Sequence, residues 1–374
     1  TEFDSDSVTT IQPNGIGIGS FLRRLVFASR FSEMNLLLSG ELTDSSVVLF
    51  RRSLSERLRT IAPFILWDND PQPVLASGRI VWIVDGYTVT QNFPIARRLS
   101  MRIGTGADVV RYMRNSVKAT IDAVTGETRF YALQEGEPLL ATYRATFPTL
   151  FRRACELPPQ IASHLRSPTS YLNTKADVLD EYHLDRPQAF YAGEDVWRLN
   201  KATGTETRAS AFRPLYTSLQ VDPDRGPEFV VAIPFMGQQR RDLTALLIVR
   251  NDPPNYGRMV VLEVARDQQV RGPEQIVAMA EQDPVISPQL TLWRQGGSDV
   301  VIGEVRIVPV DSTFVYVMPV FLVAQGSPIP ELQRVIVSDG DRVAMARSTA
   351  DAFAALGGHP VAPGPTTPRA ASVG

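Results

Sequence analysis

Five apolar runs beyond position 212 constrain the fold more than any other feature: FVVAIPFM (229–236), TALLIVR (244–250), MVVLEVA (259–265), VVIGEVRIVPV (300–310) and TFVYVMPVFLVA (313–324). Each is too short to cross a bilayer as a helix, which takes about 20 apolar residues. Their length and β-branched content predict strands covered on both faces. Punctuated helices separate them. Gly272-Pro273 opens one, Ser287-Pro288 opens another that Gly296-Gly297 closes, and Ser348 with Asp351 caps a last one ending at Gly357-Gly358.

The first third of the chain is written differently. In RYMRNSVKATIDAVTGETRFYAL (111–133), Ser116, Lys118, Thr120 and Asp122 alternate with Val117, Ala119, Ile121 and Ala123, the two-residue period of a half-buried strand. Thr125-Gly126 supplies a turn that tolerates positive φ, and Thr128 to Leu133 returns as the second strand. Lys118 and Asp122 lie four apart on one face and are expected to form a solvated pair. A second hairpin is predicted around Ser77-Gly78, between Val74–Ala76 and Ile80–Val84. Ser53 and Glu56 have capping-box spacing ahead of a short helix with Leu54, Leu58 and Ile61 as its stripe, ended by Pro63.

From Ser20 to about Leu38 a helix is predicted, with Phe21, Leu22, Leu25, Val26 and Phe31 set against Arg23, Arg24 and Arg30. That segregation suits a core helix or one lying at a membrane surface, and the core is preferred because most amphipathic helices face protein. Residues 136–185 read as mostly helical, broken by Pro148, Pro158-Pro159 and Pro168. The expected class is α+β, with mixed, mostly antiparallel β-sheets and packed helices. Four segments are expected: 1–135 with the amphipathic helix and hairpins, 136–212 mainly helical, 213–356 β-rich with inserted helices, and a low-complexity tail, 357–374.

Composition excludes several classes. A formal net charge of −2 gives no basic footprint for nucleic acid, and lysine occurs only at positions 118, 175 and 201. Cys155 is the single cysteine, so neither an intrachain disulfide nor a cysteine metal cluster is possible. It follows Arg152 and Arg153 but is expected to be a small buried hydrophobe. No apolar run of eighteen residues is present, and Thr1 is preceded by neither methionine nor leader, as in a processed or excised chain.

No motif for chemistry emerges. NGIGIGS (14–20) imitates a dinucleotide fingerprint, but no strand precedes it and its third glycine comes one residue early. His164, His183 and His359 have no ligand spacing, and no metal or cofactor is expected. VDPDRG (221–226) starts like a calcium loop but has Ile233 at the twelfth position, so a turn is expected. The best polar constellation is IVRNDPPNYGR, with Arg250, Asn251, Asp252, Tyr256 and Arg258. It reads as a rigid turn in which Asp252 or Asn251 caps the bend, or alternatively as a binding loop.

Several segments together resemble one family: GSFLRRLVFASRFSEMNLLLS, LFRRSLSERLRTIAPFILWDNDPQPV, SGRIVWIVDGYT, YMRNSVKATIDAVTGETRFY, YHLDRPQAFYAGEDVW, RNDPPNYGRMVV, QDPVISPQLTLWRQGGSDVV and RVIVSDGDRVAMA. They are similar to the large extracytoplasmic domain of a widespread, uncharacterised bacterial membrane-protein family with about seven N-terminal transmembrane helices. Those helices have no counterpart here, and the family's aspartate-glycine turn is Thr125-Gly126. The resemblance implies location and architecture but carries no catalytic motif. It makes the 111–133 hairpin a family landmark whose polar face is surface or interface.

The resulting expectation is a non-catalytic, periplasmic, membrane-extrinsic subunit that scaffolds an integral membrane complex, a photosynthetic reaction centre with its antenna being one setting. Its partners would be integral membrane proteins and the membrane surface, with no nucleic acid, small-molecule substrate or cofactor. The alternative is a ligand-binding or hydrolytic ectodomain with the 250–258 loop at its mouth. The candidate interface comprises Arg23, Arg24, Arg114, Lys118, Arg250, Asp252, Tyr256 and Arg258, with Pro363, Pro365 and Pro368 in a tail expected, like residues 1–10, to lie on partner chains.

Overall fold

The computed structural model describes residues 15–103, 106–134, 136–199, 214–222, 224–237, 241–265, 267–295, 298–310, 313–324 and 327–357. The N-terminal arm and the proline-rich tail lie outside them. The chain divides between His164 and Leu165 into two compact units, and its architecture is mixed α+β with mostly antiparallel sheets.

In the first unit a six-stranded sheet is ordered Phe151–Arg153, Thr128–Ala132, Tyr112–Asp122, Arg79–Thr90 and Leu66–Trp67, with Gln72–Ala76 also pairing with Arg79–Thr90. Both expected hairpins are present. Ser77 and Gly78 hold φ of 52° and 73°, and Gly126 holds 69°. Asp122 tightens the second turn by accepting from Val124 N and Thr125 N at 2.9 and 2.8 Å. One face of this sheet packs Val84, Val117, Ala119 and Phe130 against Leu58 and Trp67. Gly86 lets Trp67 approach, because a Cβ there would lie 2.7 Å from the indole.

The second unit stacks in layers. The helix Thr169–Tyr182 sets Leu172 and Ala176 against Val231, Ile233, Leu247 and Val249 of a five-stranded sheet centred on Glu228–Gly237 and Leu243–Arg250. That sheet's other face shares one core with a second sheet, where Leu246 and Ile248 meet Tyr316, Met318 and Ile336. The helices Pro273–Gln282 and Ile286–Gln295 add Ile276 and Leu290 to the same core. The helix Thr349–Leu356 covers the second sheet's far face through Ala352 and Leu356. It starts as expected, with Ser348 Oγ accepting from Asp351 N at 3.1 Å.

Five local expectations are corrected. The 300–310 run is two strands, Ser298–Ile302 and Arg306–Val310, both paired with Thr313–Ala324, and between them Gly303 lies where a Cβ would fall 2.8 Å from Pro319. The Ser20–Leu38 helix is two helices, Phe21–Phe31 and Asn35–Leu38, interrupted at Ser32 with φ 55°. Ser53 makes no side-chain cap to the helix Leu54–Ile61, and Glu56 instead faces Arg51 at 3.8 Å. Cover on both faces holds for Leu243–Arg250, whereas Met259–Glu263 and Arg306–Val310 are largely half-buried or exposed. Cys155 is exposed rather than buried.

Candidate interface and buried polar clusters

Lys118 overturns the solvated-pair expectation. Only 1% of its side chain is exposed, and Nζ lies 2.5 Å from Asp85 Oδ1, its register partner on the neighbouring strand. Asn115 Nδ2 donates to the same carboxylate at 2.7 Å. Ser116 and Thr120 are buried beside it, so the polar face of this strand is covered like its apolar face. Thr88 Oγ1 and Ser116 Oγ share a hydrogen bond of 2.8 Å, and the Tyr87 hydroxyl donates to Asp68. Burial pushes the Asp85 carboxyl above its ordinary range despite the lysine and amide that oppose the shift. Asp122, the expected partner, lies 3.4 Å from Arg79.

A second polar cluster forms where the expected turn joins Leu243–Arg250 to Met259–Glu263. Arg250 Nε donates to Glu228 Oε2 at 2.9 Å and Nη2 to Asp222 Oδ2 at 2.7 Å, so the buried guanidinium is clamped between carboxylates. These bonds hold Asp222 below and Arg250 above their ordinary ranges, the arginine despite the burial that opposes its charge. Asp252 Oδ2 accepts from Phe229 N and Asn251 Oδ1 from Ser167 N, both at 2.8 Å, so both side chains tie the bend. Tyr256 donates to Arg166 O at 3.1 Å, and Arg258 Nη1 to Asn255 Oδ1 at 3.0 Å. The four candidates 250, 252, 256 and 258 therefore do share one loop, and each is bonded within the chain.

Of the remaining candidates, Arg23 Nη1 donates to Gly17 O at 3.2 Å, while Arg24 Nε donates to Ile18 O and Nη2 to Leu42 O at 2.9 and 3.1 Å. Arg114 lies over the Tyr112 ring at 5.9 Å. Pro363, Pro365 and Pro368 fall outside the described residues. Among those residues no cluster of three potential metal ligands is gathered, and no helix is long and apolar enough to cross a membrane.

The sequence allows the first helix either a core position, the preferred one, or one at a membrane surface, and the structure leaves its apolar side exposed. The preferred core position of the first helix is wrong: only Ala28 is buried, while Phe21, Leu22, Leu25 and Val26 stand exposed. Met34 and Leu38 of the following turn, and Ile16, Val47 and Leu49 of the flanking segments, are exposed too. The signal was present in the 21–26 run, whose large side chains exceed what one buried stripe accommodates. Elsewhere in the unit a cleft of about 390 Å³ lies between Pro63–Leu66, Val89–Asn92 and Val109–Val110, with no titratable side chain in its lining.

Residues 2–293 match the profile of an uncharacterised protein family, UPF0182. A UPF0182 protein of Pelotomaculum thermopropionicum is 38% identical over 334 residues, covering 88% of this chain and 35% of the relative. One from Cupriavidus necator is 38% identical over 347 residues, covering 92% and 38%, and one from Trichodesmium erythraeum is 35% identical over 361 residues, covering 93% and 39%. The chain thus spans little more than a third of the curated relatives it matches. Their descriptions lend the reaction-centre setting no support. No solved structure matches. On profile, identity and coverage together, the chain belongs to the uncharacterised family UPF0182.

Proposed function

We propose that this chain is a non-catalytic, membrane-extrinsic brace on the extracytoplasmic side, resting beside the integral membrane proteins it steadies. The observation that carries this reading is the concentration of ten large exposed apolar side chains within residues 16–49. Patches of that kind, rimmed by charge, mark surfaces used for association. The two polar clusters support a non-catalytic role, because their charged groups are spent on each other and on backbone atoms rather than converging on an open cleft.

Washing native membranes with alkaline carbonate tests the placement. The chain is released while integral proteins stay behind. Retention in the bilayer after the other proteins have been removed contradicts the reading.

A further inference from the structure

The outward side of the first helix defines what it meets. At about 100° per residue, Phe21, Leu25, Ser29, Leu22 and Val26 fall in one sector of roughly 140°. The rest of the circumference packs inward through Phe27, whose ring centroid lies 5.7 Å from that of Phe50, and through Ala28, buried at the sector's border about 20° from Phe21, while Phe31 lies 6.1 Å from Phe50 and stays 43% exposed. Leu22 is 70% exposed and Val26 64%, and Leu38 beyond the Ser32 break is 76% exposed. An ordinary surface helix shows its polar side to water. This one shows its apolar side.

The edge of that sector is cationic. Arg23 and Arg30 follow Val26 around the helix, and the segment Phe21–Phe31 holds three arginines and no acidic residue. The exposed Arg52 comes two residues after Phe50, and Arg51, which lies over that ring at 5.7 Å, faces Glu56 at 3.8 Å. The nearest acid in sequence, Glu33, is engaged with Asn35 N at 3.2 Å. Within the sector Ser29 is the only polar side chain, whereas a standard protein interface needs about ten directional hydrogen bonds. A bilayer boundary needs none: acyl chains take the apolar sector, and anionic phosphates meet the arginines that flank it.

We infer that the outward face of Phe21–Phe31, extended by Met34 and Leu38, inserts into the headgroup–acyl boundary of an anionic phospholipid bilayer. The inference rests on the membrane-extrinsic reading and names what that surface touches: lipid, not protein.

Flotation of the full 374-residue chain with protein-free vesicles decides it. Vesicles containing about a third phosphatidylglycerol bind the chain and pure phosphatidylcholine vesicles bind it far less, each rim arginine contributing roughly fivefold. Leu22→Glu with Val26→Glu abolishes binding, and Arg30→Gln weakens it several-fold at low salt only, with thermal melting confirming that the variants fold. Equal binding to both vesicle types, no binding, or binding indifferent to Leu22→Glu with Val26→Glu overturns the inference. Because these vesicles hold no protein, their failure leaves the brace reading standing. That reading falls separately, if no integral membrane protein accompanies the chain from native membranes.

Discussion

Lys118 is held by geometry that two strands create together. Its Nζ meets Asp85 because the strand register places these residues opposite each other, and Asn115 supplies a further donor to the carboxylate. Removing one member of such a buried pair strands the other, at a cost of about 3–5 kcal/mol. Lys118→Ala is therefore expected to lower stability to denaturant by about that amount, and Lys118→Met with Asp85→Leu to recover much of it. A loss below roughly 1 kcal/mol in the single variant would place the lysine in water. The raised Asp85 pKa fixes a sign. Between the unfolded carboxylate range and the higher folded value, the folded state holds the extra proton, so this group's contribution is fullest at low pH and declines as pH rises through that window. Wild-type stability measured against Asp85→Asn should accordingly fall with pH there. A rise would mean that the lysine outweighs burial and that the pKa is lowered.

Among the elements, those legible in the sequence are set by local rules. Ser77-Gly78 and Thr125-Gly126 marked their hairpins because positive φ is demanded there, and Ser348 with Asp351 marked a helix start because the cap is three residues long. Gly126→Ala is expected to cost about 1–2 kcal/mol from φ alone, read as a lower denaturation midpoint. The added Cβ would also meet the Arg57 guanidinium. Nonlocal facts were illegible. Alternation assigns Lys118 and Thr120 to one face, but nothing nearby in sequence says that this face is covered or that Asp85 lies across the register. The first helix failed similarly: periodicity separates arginine from phenylalanine and leucine without saying which sector turns inward, and Ala28 proved to be its buried residue. The strand Ser327–Ser338 was missed because Pro328, Pro330 and Glu331 interrupt any apolar run.

For the whole molecule, the buried polar clusters tie each unit to itself, and the exposed apolar side chains of residues 16–49 face outward, where the proposal places association. Leu22→Ser with Val26→Ser separates the two roles. These side chains bury little within the chain, so thermal stability should stay within about 0.5 kcal/mol of wild type. A large loss would mean that this face supports the fold. The charged candidates at 250, 252, 256 and 258 belong to the building side: Arg250 fixes Glu228 and Asp222, and Asp252 fixes Phe229 N. Arg23 and Arg30, beside the apolar sector, belong to the outward side.

The mass of the assembly recovered when the chain is purified from native membranes in mild detergent tests the central claim most directly. The brace reading predicts a stoichiometric complex with integral membrane proteins, stable to size-exclusion chromatography and without catalytic turnover. Recovery of the chain by itself, or as copies of itself alone, would contradict it.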